Sequence, residues 1–384
     1  MDFTHRIKNI SPSKSVQLSS LVTHLKDQGE NIISLNVGEA DFETPWPIIQ
    51  GTHRALSENK TRYGLVQGIV ELRKKIADHF NHRHKTKVTK DHILLGNGSK
   101  HILYSLFQTI CNIGDEIIIP RPYWVTFPES VKLAGGRPVF VDTVNHQLHI
   151  ENIEKAITSK TKAILINSPN NPTGAIYPKK TLLELVALAK KYNLYIISDE
   201  AYERFAYDGL RSYNISSLSE EAFQRTITVQ SFSKTYFMTG FRIGYLIGPI
   251  KLAQAVQKFQ GHVTGNNCTF AQYGALAALE MDHKILDESL LILEKRRNLA
   301  YSLFSQLFDC LKPQGAFYLF PHIKKYIDKG YFKSCEEMAE YILKKAKVAV
   351  LPGRPFGMEN HLRISFAVSE QNIKEAFLRI KELL

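Results

Sequence analysis

The middle of the chain repeats one pattern: a short, nearly continuous apolar run, a turn carrying Gly, Pro or Asn, then a stretch whose apolar positions recur at helical spacing. The runs lie at residues 93–95, 116–119, 138–141, 163–166, 194–198, 226–229 and 243–247. Runs without polar alternation belong to strands covered on both faces, and strands alternating with helices imply a mainly parallel sheet between helical layers. Helical windows at 100–111, 123–134 and 178–192 fit between them. Beyond them the pattern changes. Long helical windows over 270–308 lead to apolar runs at 316–320, 348–351 and 362–366 and a closing helix over 370–384. An N-terminal helix over 15–28 and a short strand over 32–35 would pack on this smaller α+β part. No internal repeat or linker-like break interrupts the chain.

Composition narrows the class. Of 384 residues, 44% are apolar and 22% charged, the mix of a globular protein with a sizeable core. The net charge of +12 raises nucleic-acid binding as a reading, but the surplus is spread thinly. Its densest cluster, Asn81-His82-Arg83-His84-Lys85, carries no interleaved aromatics on which bases would stack, so no nucleic-acid partner is expected. The four cysteines form no CxxC pair, which predicts neither a metal site nor a disulfide framework. No apolar segment opens the chain and no later stretch approaches membrane-spanning length, so a cytoplasmic protein without a membrane partner is expected.

The usual phosphate, hydrolase and zinc-protease motifs are absent: no GxGxxG after the first strands, no GxxxxGK[ST], no HExxH and no GxSxG. Candidate chemistry sits instead at strand ends, where open α/β sheets bind ligands. Lys234 follows a buried strand between Ser231, Ser233 and Arg242. Partial desolvation there would lower its pKa and make the amine a nucleophile, while the serines and the planar Arg242 fork suit an anion. Taken alone, such a lysine is also compatible with an ordinary surface position. The strand over 194–198 runs straight into Asp199, with Tyr202 three positions on. A buried carboxylate needs a cationic partner, which a pyridinium nitrogen would supply, although an aspartate there could equally cap the next helix. Asn171 lies in a Pro- and Gly-stiffened loop directly after another strand, and Gly98-Ser99 open a helix whose first N–H groups would favour an anion.

Together these segments resemble the class I aminotransferases of the pyridoxal-phosphate fold type I superfamily, from about Ser11 to the C-terminus. The resemblance rests on Asn36-Val-Gly-Glu-Ala-Asp-Phe42, Thr61-Arg-Tyr-Gly64, Ser168-Pro-Asn-Asn-Pro-Thr-Gly174, Ser198-Asp-Glu-Ala-Tyr202, the Lys234–Arg242 stretch and Leu362-Arg-Ile-Ser365, in that order. It implies a large cofactor-binding α/β domain with a mainly parallel seven-stranded sheet at 47–290, and a small domain built from 1–46 with 291–384. It implies pyridoxal 5′-phosphate bound covalently at Lys234, its ring nitrogen on Asp199, its ring oxygen on Tyr202 and Asn171, and its phosphate on Gly98, Ser99, Ser231 and Arg242. Trp124 would stack on the ring, with Tyr123 as the alternative, and Arg363 with the backbone near Gly38 would clamp the substrate's α-carboxylate. Tyr63 matches a tyrosine reaching the phosphate of a neighbouring subunit, which implies a homodimer with shared active sites.

Substrate choice follows from the same resemblance. Gly98-Ser-Lys-His101 is similar to a bacterial aspartate aminotransferase subgroup in which a lysine at the position of Lys100 faces the distal carboxylate. Ser11-Pro-Ser-Lys-Ser15 resembles that subgroup's closing N-terminal segment. His101 departs from the pattern, standing where a glutamine is more common. The implied reaction is ping-pong transfer of an amino group from aspartate to 2-oxoglutarate. Alternatives are an aminotransferase for aromatic amino acids or prephenate, or a carbon–sulfur β-lyase. A cofactor-sensing regulator would need a helix-turn-helix domain, for which there is no room before Asn36.

Overall fold

The computed structural model describes residues 2–384. A short strand β1 (Ile33–Ser34) follows the helix Lys14–Asp27. The seven apolar runs all form strands: β2 (Ile93–Gly96), β3 (Glu116–Arg121), β4 (Arg137–Asp142), β5 (Thr161–Asn167), β6 (Tyr195–Asp199), β7 (Thr226–Ser231) and β8 (Gly244–Ile247). They make one sheet in the order β2-β8-β7-β6-β5-β3-β4. β8 runs antiparallel to both neighbours and every other pair is parallel.

Alternate residues of these strands feed two separate apolar layers. Ile117, Ile119, Ala163, Leu165 and Ile197 join the layer on one face, while Ile118, Ile164, Ile166 and Ile196 join the other. Helix Ser99–Ile110 lies in the first layer through Ile102, Leu103 and Leu106, and helix Lys179–Lys191 in the second through Leu182, Leu185 and Ala189. Covered on both sides, the inner strands have no reason to alternate with polar residues. The edge strand β4 leaves Arg137, Phe140 and Asp142 exposed, whereas the other strands expose only Tyr195, at the start of β6.

Four further strands follow: β9 (Tyr318–Leu319), β10 (Val348–Ala349), β11 (Leu351–Pro352) and β12 (Leu362–Ser365). β11, β12 and β9 form a small antiparallel sheet, and β1 pairs in parallel with β10, so the N-terminal strand does pack onto the C-terminal part. The helical region expected over 270–308 is two helices, Thr269–Glu280 and Lys284–Phe304. The break falls at Asp282, whose carboxylate accepts the Lys284 N–H at 3.0 Å and so starts the second helix. Helix Trp46–Ser57, unannounced by the strand–turn–helix repeat, packs along Thr269–Glu280. The basic cluster at Asn81–Lys85 closes helix Val70–His84, and Arg83 there is paired with Glu203 at 2.8 Å. No helix among the described residues is long and apolar enough to cross a membrane.

Candidate active site

Parallel strands send their carboxyl ends to one edge of the sheet, and that edge carries the chemistry. β5 ends at Asn167 and β6 at Asp199, which are register partners, and β7 ends at Ser231. Beyond them Ser99, Trp124, Asn171, Tyr202 and Lys234 join Asn167 and Asp199 around a cavity of about 40 Å³. Six residues singled out in the sequence therefore meet in one space.

Lys234 rides on the short helix Phe232–Thr235, held at its start by the Ser231 hydroxyl, which accepts the Ser233 N–H at 3.1 Å. Its ammonium donates to the Gly38 carbonyl at 2.7 Å. Burial pulls its pKa from 10.5 down to about 8; Arg242 and Arg363 push the same way, against Glu39 and Asp199. Asp199, buried at the strand end, is driven up to about 6 by desolvation, opposed by the Ala201 N–H and by Lys234. The carboxyl would return to its anionic form beside a cation in the cavity. Asn167 stiffens both sides, donating to the Asp199 carbonyl at 2.9 Å and accepting the Asn171 N–H at 2.8 Å.

Asn171, Tyr202 and Arg363 form a connected wall. The Asn171 amide donates to the Tyr202 hydroxyl at 3.4 Å, and its carbonyl accepts from Arg363 at 3.1 Å. Arg363 also donates to the Asn36 carbonyl at 2.6 Å, which fixes the plane of its fork, while its Nε finds no partner. A buried guanidinium without a carboxylate is costly unless an anion completes it. Sequence reading gave Asn36 no role and missed Tyr318, whose hydroxyl lies 2.8 Å from that of Tyr202 and whose ring sits 4.3 Å beneath the Arg363 guanidinium. Tyr318 has no motif around it; only the β9–β12 pairing, which sets Tyr318 against Ser365, brings it here.

An anion cradle lies alongside. Gly98 precedes helix Ser99–Ile110 with φ 83° and ψ 164°, a conformation closed to side-chain-bearing residues. A Cβ there would come 2.5 Å from Arg242 Nη2. Arg242, itself left-handed at φ 57°, is held by a 2.7 Å bond to the Thr239 carbonyl. Helix N–H groups, the Ser99 hydroxyl and a guanidinium thus converge, as phosphate binding requires. Ser231 differs from the rest: its hydroxyl is used as a helix cap and it does not line the cavity.

Lys100 lies outside the inner cavity. It lines a larger, open one with Ser11, Lys14, Tyr104, Arg242 and Arg354, its ammonium 5.3 Å from the Trp124 ring. Burial, then Arg242, lowers its pKa. Trp124 faces the inner cavity, whereas Tyr123 stacks on Phe140 at 4.9 Å and faces only the outer one. His101 turns back to accept the Asn97 N–H at 3.2 Å, so it braces the turn before the helix. Tyr63 is fully exposed and does not line its own chain's cavity.

Known proteins share this fold and much of its sequence. The chain is 39% identical to the aspartate aminotransferase of Bacillus subtilis (strain 168), covering 100% of this chain and 99% of that protein. It is also 39% identical to the probable aspartate/prephenate aminotransferase of Aquifex aeolicus (strain VF5), covering 99% and 98%. The structure superposes on aspartate aminotransferase from Thermus thermophilus with maleate at a TM-score of 0.95 and 35% identity over the full length of both chains. The family model for aminotransferase class I and II matches residues 30–380. A match over nearly the whole chain leaves one conclusion: this protein belongs to the class I and II aminotransferases, enzymes that work with pyridoxal 5′-phosphate.

Proposed function

We propose that the inner cavity holds pyridoxal 5′-phosphate and that the protein transfers the amino group of an L-amino acid, aspartate foremost, to 2-oxoglutarate in two half-reactions. The observation that carries the reading is the meeting of a lysine amine drawn down to about 8 with a buried carboxyl, a helix-end anion cradle and an incomplete guanidinium fork. Bound there, the cofactor's pyridinium ring supplies a sink for the electron pair left when the substrate loses its Cα proton. Asp199 keeps the ring nitrogen protonated, and regains its own negative charge by doing so. Tyr202 and Asn171 donate to the ring oxygen, and Trp124 covers one face. Gly98, Ser99 and Arg242 hold the phosphate, with Ser231 fixing the turn that carries Lys234. Arg363, its plane already set by Asn171 and Asn36, takes the α-carboxylate bidentately, and the chain near Gly38 closes over it. Lys234, released once substrate binds, removes the Cα proton and returns it at C4′.

Aspartate is supported by the relatives' names and by the cation at Lys100 in the adjoining cavity. Residues 47–290 would form the large domain and 1–46 with 291–384 the small one, in a homodimer whose Tyr63 completes the neighbour's phosphate site. The four unpaired cysteines favour a reducing, cytoplasmic setting. The test is product analysis. Aspartate and 2-oxoglutarate should give oxaloacetate and glutamate; pyruvate and ammonia from a β-substituted donor, without glutamate, would establish a β-lyase instead. Faster turnover with prephenate or aromatic donors than with aspartate would remove the aspartate assignment.

A further inference from the structure

The residue that sequence reading missed stands at a junction the proposed chemistry leaves unexplained. Tyr318 is fully buried, and among the described residues its hydroxyl has one hydrogen-bonding neighbour, the Tyr202 hydroxyl at 2.8 Å. That hydroxyl also fills the space beside residue 38: a Cβ on Gly38 would lie 2.9 Å from Tyr318 Oη. The Gly38 carbonyl is occupied by the Lys234 ammonium at 2.7 Å. The face of the Tyr318 ring lies 4.3 Å from the Arg363 guanidinium carbon. One side chain from the small sheet thus touches the two groups that the proposed function uses for different ends, the proton donor Tyr202 and the carboxylate clamp Arg363.

We infer that Tyr318 is a positioning residue that couples these groups: its hydroxyl donates to Tyr202, turning the Tyr202 proton toward the cavity, and its ring supports the Arg363 guanidinium from below. The inference rests on the reading of the cavity as a pyridoxal-phosphate site. The direction of the bond follows from the available acceptors. Tyr202 Oη already receives the Asn171 amide at 3.4 Å, so its own proton has the cavity as its free direction, and among the described residues Tyr318 has no hydrogen-bond acceptor other than Tyr202 Oη. Burial raises the pKa of both phenols, so both keep their protons across the working range. A phenol that accepts a hydrogen bond becomes a stronger donor in turn. Tyr202 would therefore donate more strongly to the cofactor's ring oxygen with Tyr318 present, drawing electron density from the ring and lowering the pH midpoint of the bound cofactor's visible absorption.

Two variants separate the two effects in the reconstituted holoenzyme. Tyr318→Phe keeps the ring and loses the hydroxyl, so the spectral midpoint should rise by about half a pH unit or more while KM for aspartate stays within about two-fold. Tyr318→Leu also removes the ring, so KM for aspartate should rise roughly ten-fold, the loss of one desolvated cation–π contact. A midpoint in Tyr318→Phe that is unmoved, or moved down, would overturn the hydroxyl's role. Equal KM values in the two variants would overturn the ring's. Borohydride labelling at Lys234, read in the same preparations, reports separately whether the cofactor site itself is correctly assigned.

Discussion

Replacing Gly98 by alanine tests the anion cradle without replacing a charged residue. The backbone at Gly98, φ 83° and ψ 164°, lies in a region essentially reserved for glycine, which costs an alanine about 1–3 kcal/mol. The new methyl would also stand 2.5 Å from Arg242 Nη2 and 3.2 Å from its Cζ, so the guanidinium must withdraw. Withdrawal either breaks its 2.7 Å bond to the Thr239 carbonyl or takes the fork off the phosphate. One charge-assisted hydrogen bond is worth about 1.5–3 kcal/mol, so the apoprotein's Kd for pyridoxal phosphate should weaken roughly 10- to 100-fold. Titration followed by quenching of indole fluorescence measures it, Trp124 being one of only two tryptophans. Gly114→Ala is the control: its φ is similarly positive at 85°, but no atom lies within 4 Å of the added methyl. Both variants should lose some folding stability, and only Gly98→Ala should lose cofactor affinity. Unchanged Kd in Gly98→Ala, or equal weakening in both, would refute the reasoning.

Three further outcomes follow from the same geometry. Arg363→Lys replaces a planar fork with a point charge, so KM for aspartate should rise about 10- to 100-fold with kcat falling less; steady-state kinetics check this. Because the Lys234 pKa is depressed to about 8, its reactive neutral form grows in as pH rises through that value, not through 10.5. Capture of the cofactor by apoprotein should therefore accelerate between about pH 7 and 9 and then level, whereas an ordinary lysine would keep accelerating above pH 10; stopped-flow absorbance distinguishes them. Finally, mixing inactive Lys234→Ala chains with weakened Tyr63→Ala chains should restore activity in hybrids, since one site then holds both native groups. Gel filtration showing a monomer, or hybrids no more active than the parents, would remove the shared-site dimer.

Much of this architecture is legible from the residues because the central strands are covered on both sides. Each of the seven runs is mostly apolar, and each became a strand of the sheet. Strand direction is not encoded that way: nothing in residues 243–247 announces that β8 runs antiparallel to both neighbours. The helix Trp46–Ser57 lies before the first run of the strand–turn–helix repeat, so that repeat did not point to it, although its apolar residues favour one face. Lys234, Asp199 and Asn171 could be found at strand ends, where the parallel topology forces loops to converge. Tyr318 could not. It lies inside a two-residue strand among Phe317, Leu319 and Phe320, where a tyrosine reads as another core aromatic, and only tertiary packing reveals what its hydroxyl and ring touch. Ser231 was legible as a hydroxyl near an anion site, but not as the cap that starts the lysine-bearing turn.

The central claim is that the Lys234 amine carries the cofactor. Treating the yellow holoenzyme with borohydride freezes any carbon–nitrogen link between cofactor and protein, and peptide mass spectrometry then locates the pyridoxyl group. The account predicts one label per chain, on the peptide containing Lys234, and none in Lys234→Ala. A label on Lys100 or any other lysine, or a protein that transfers amino groups with no label at all, would contradict it.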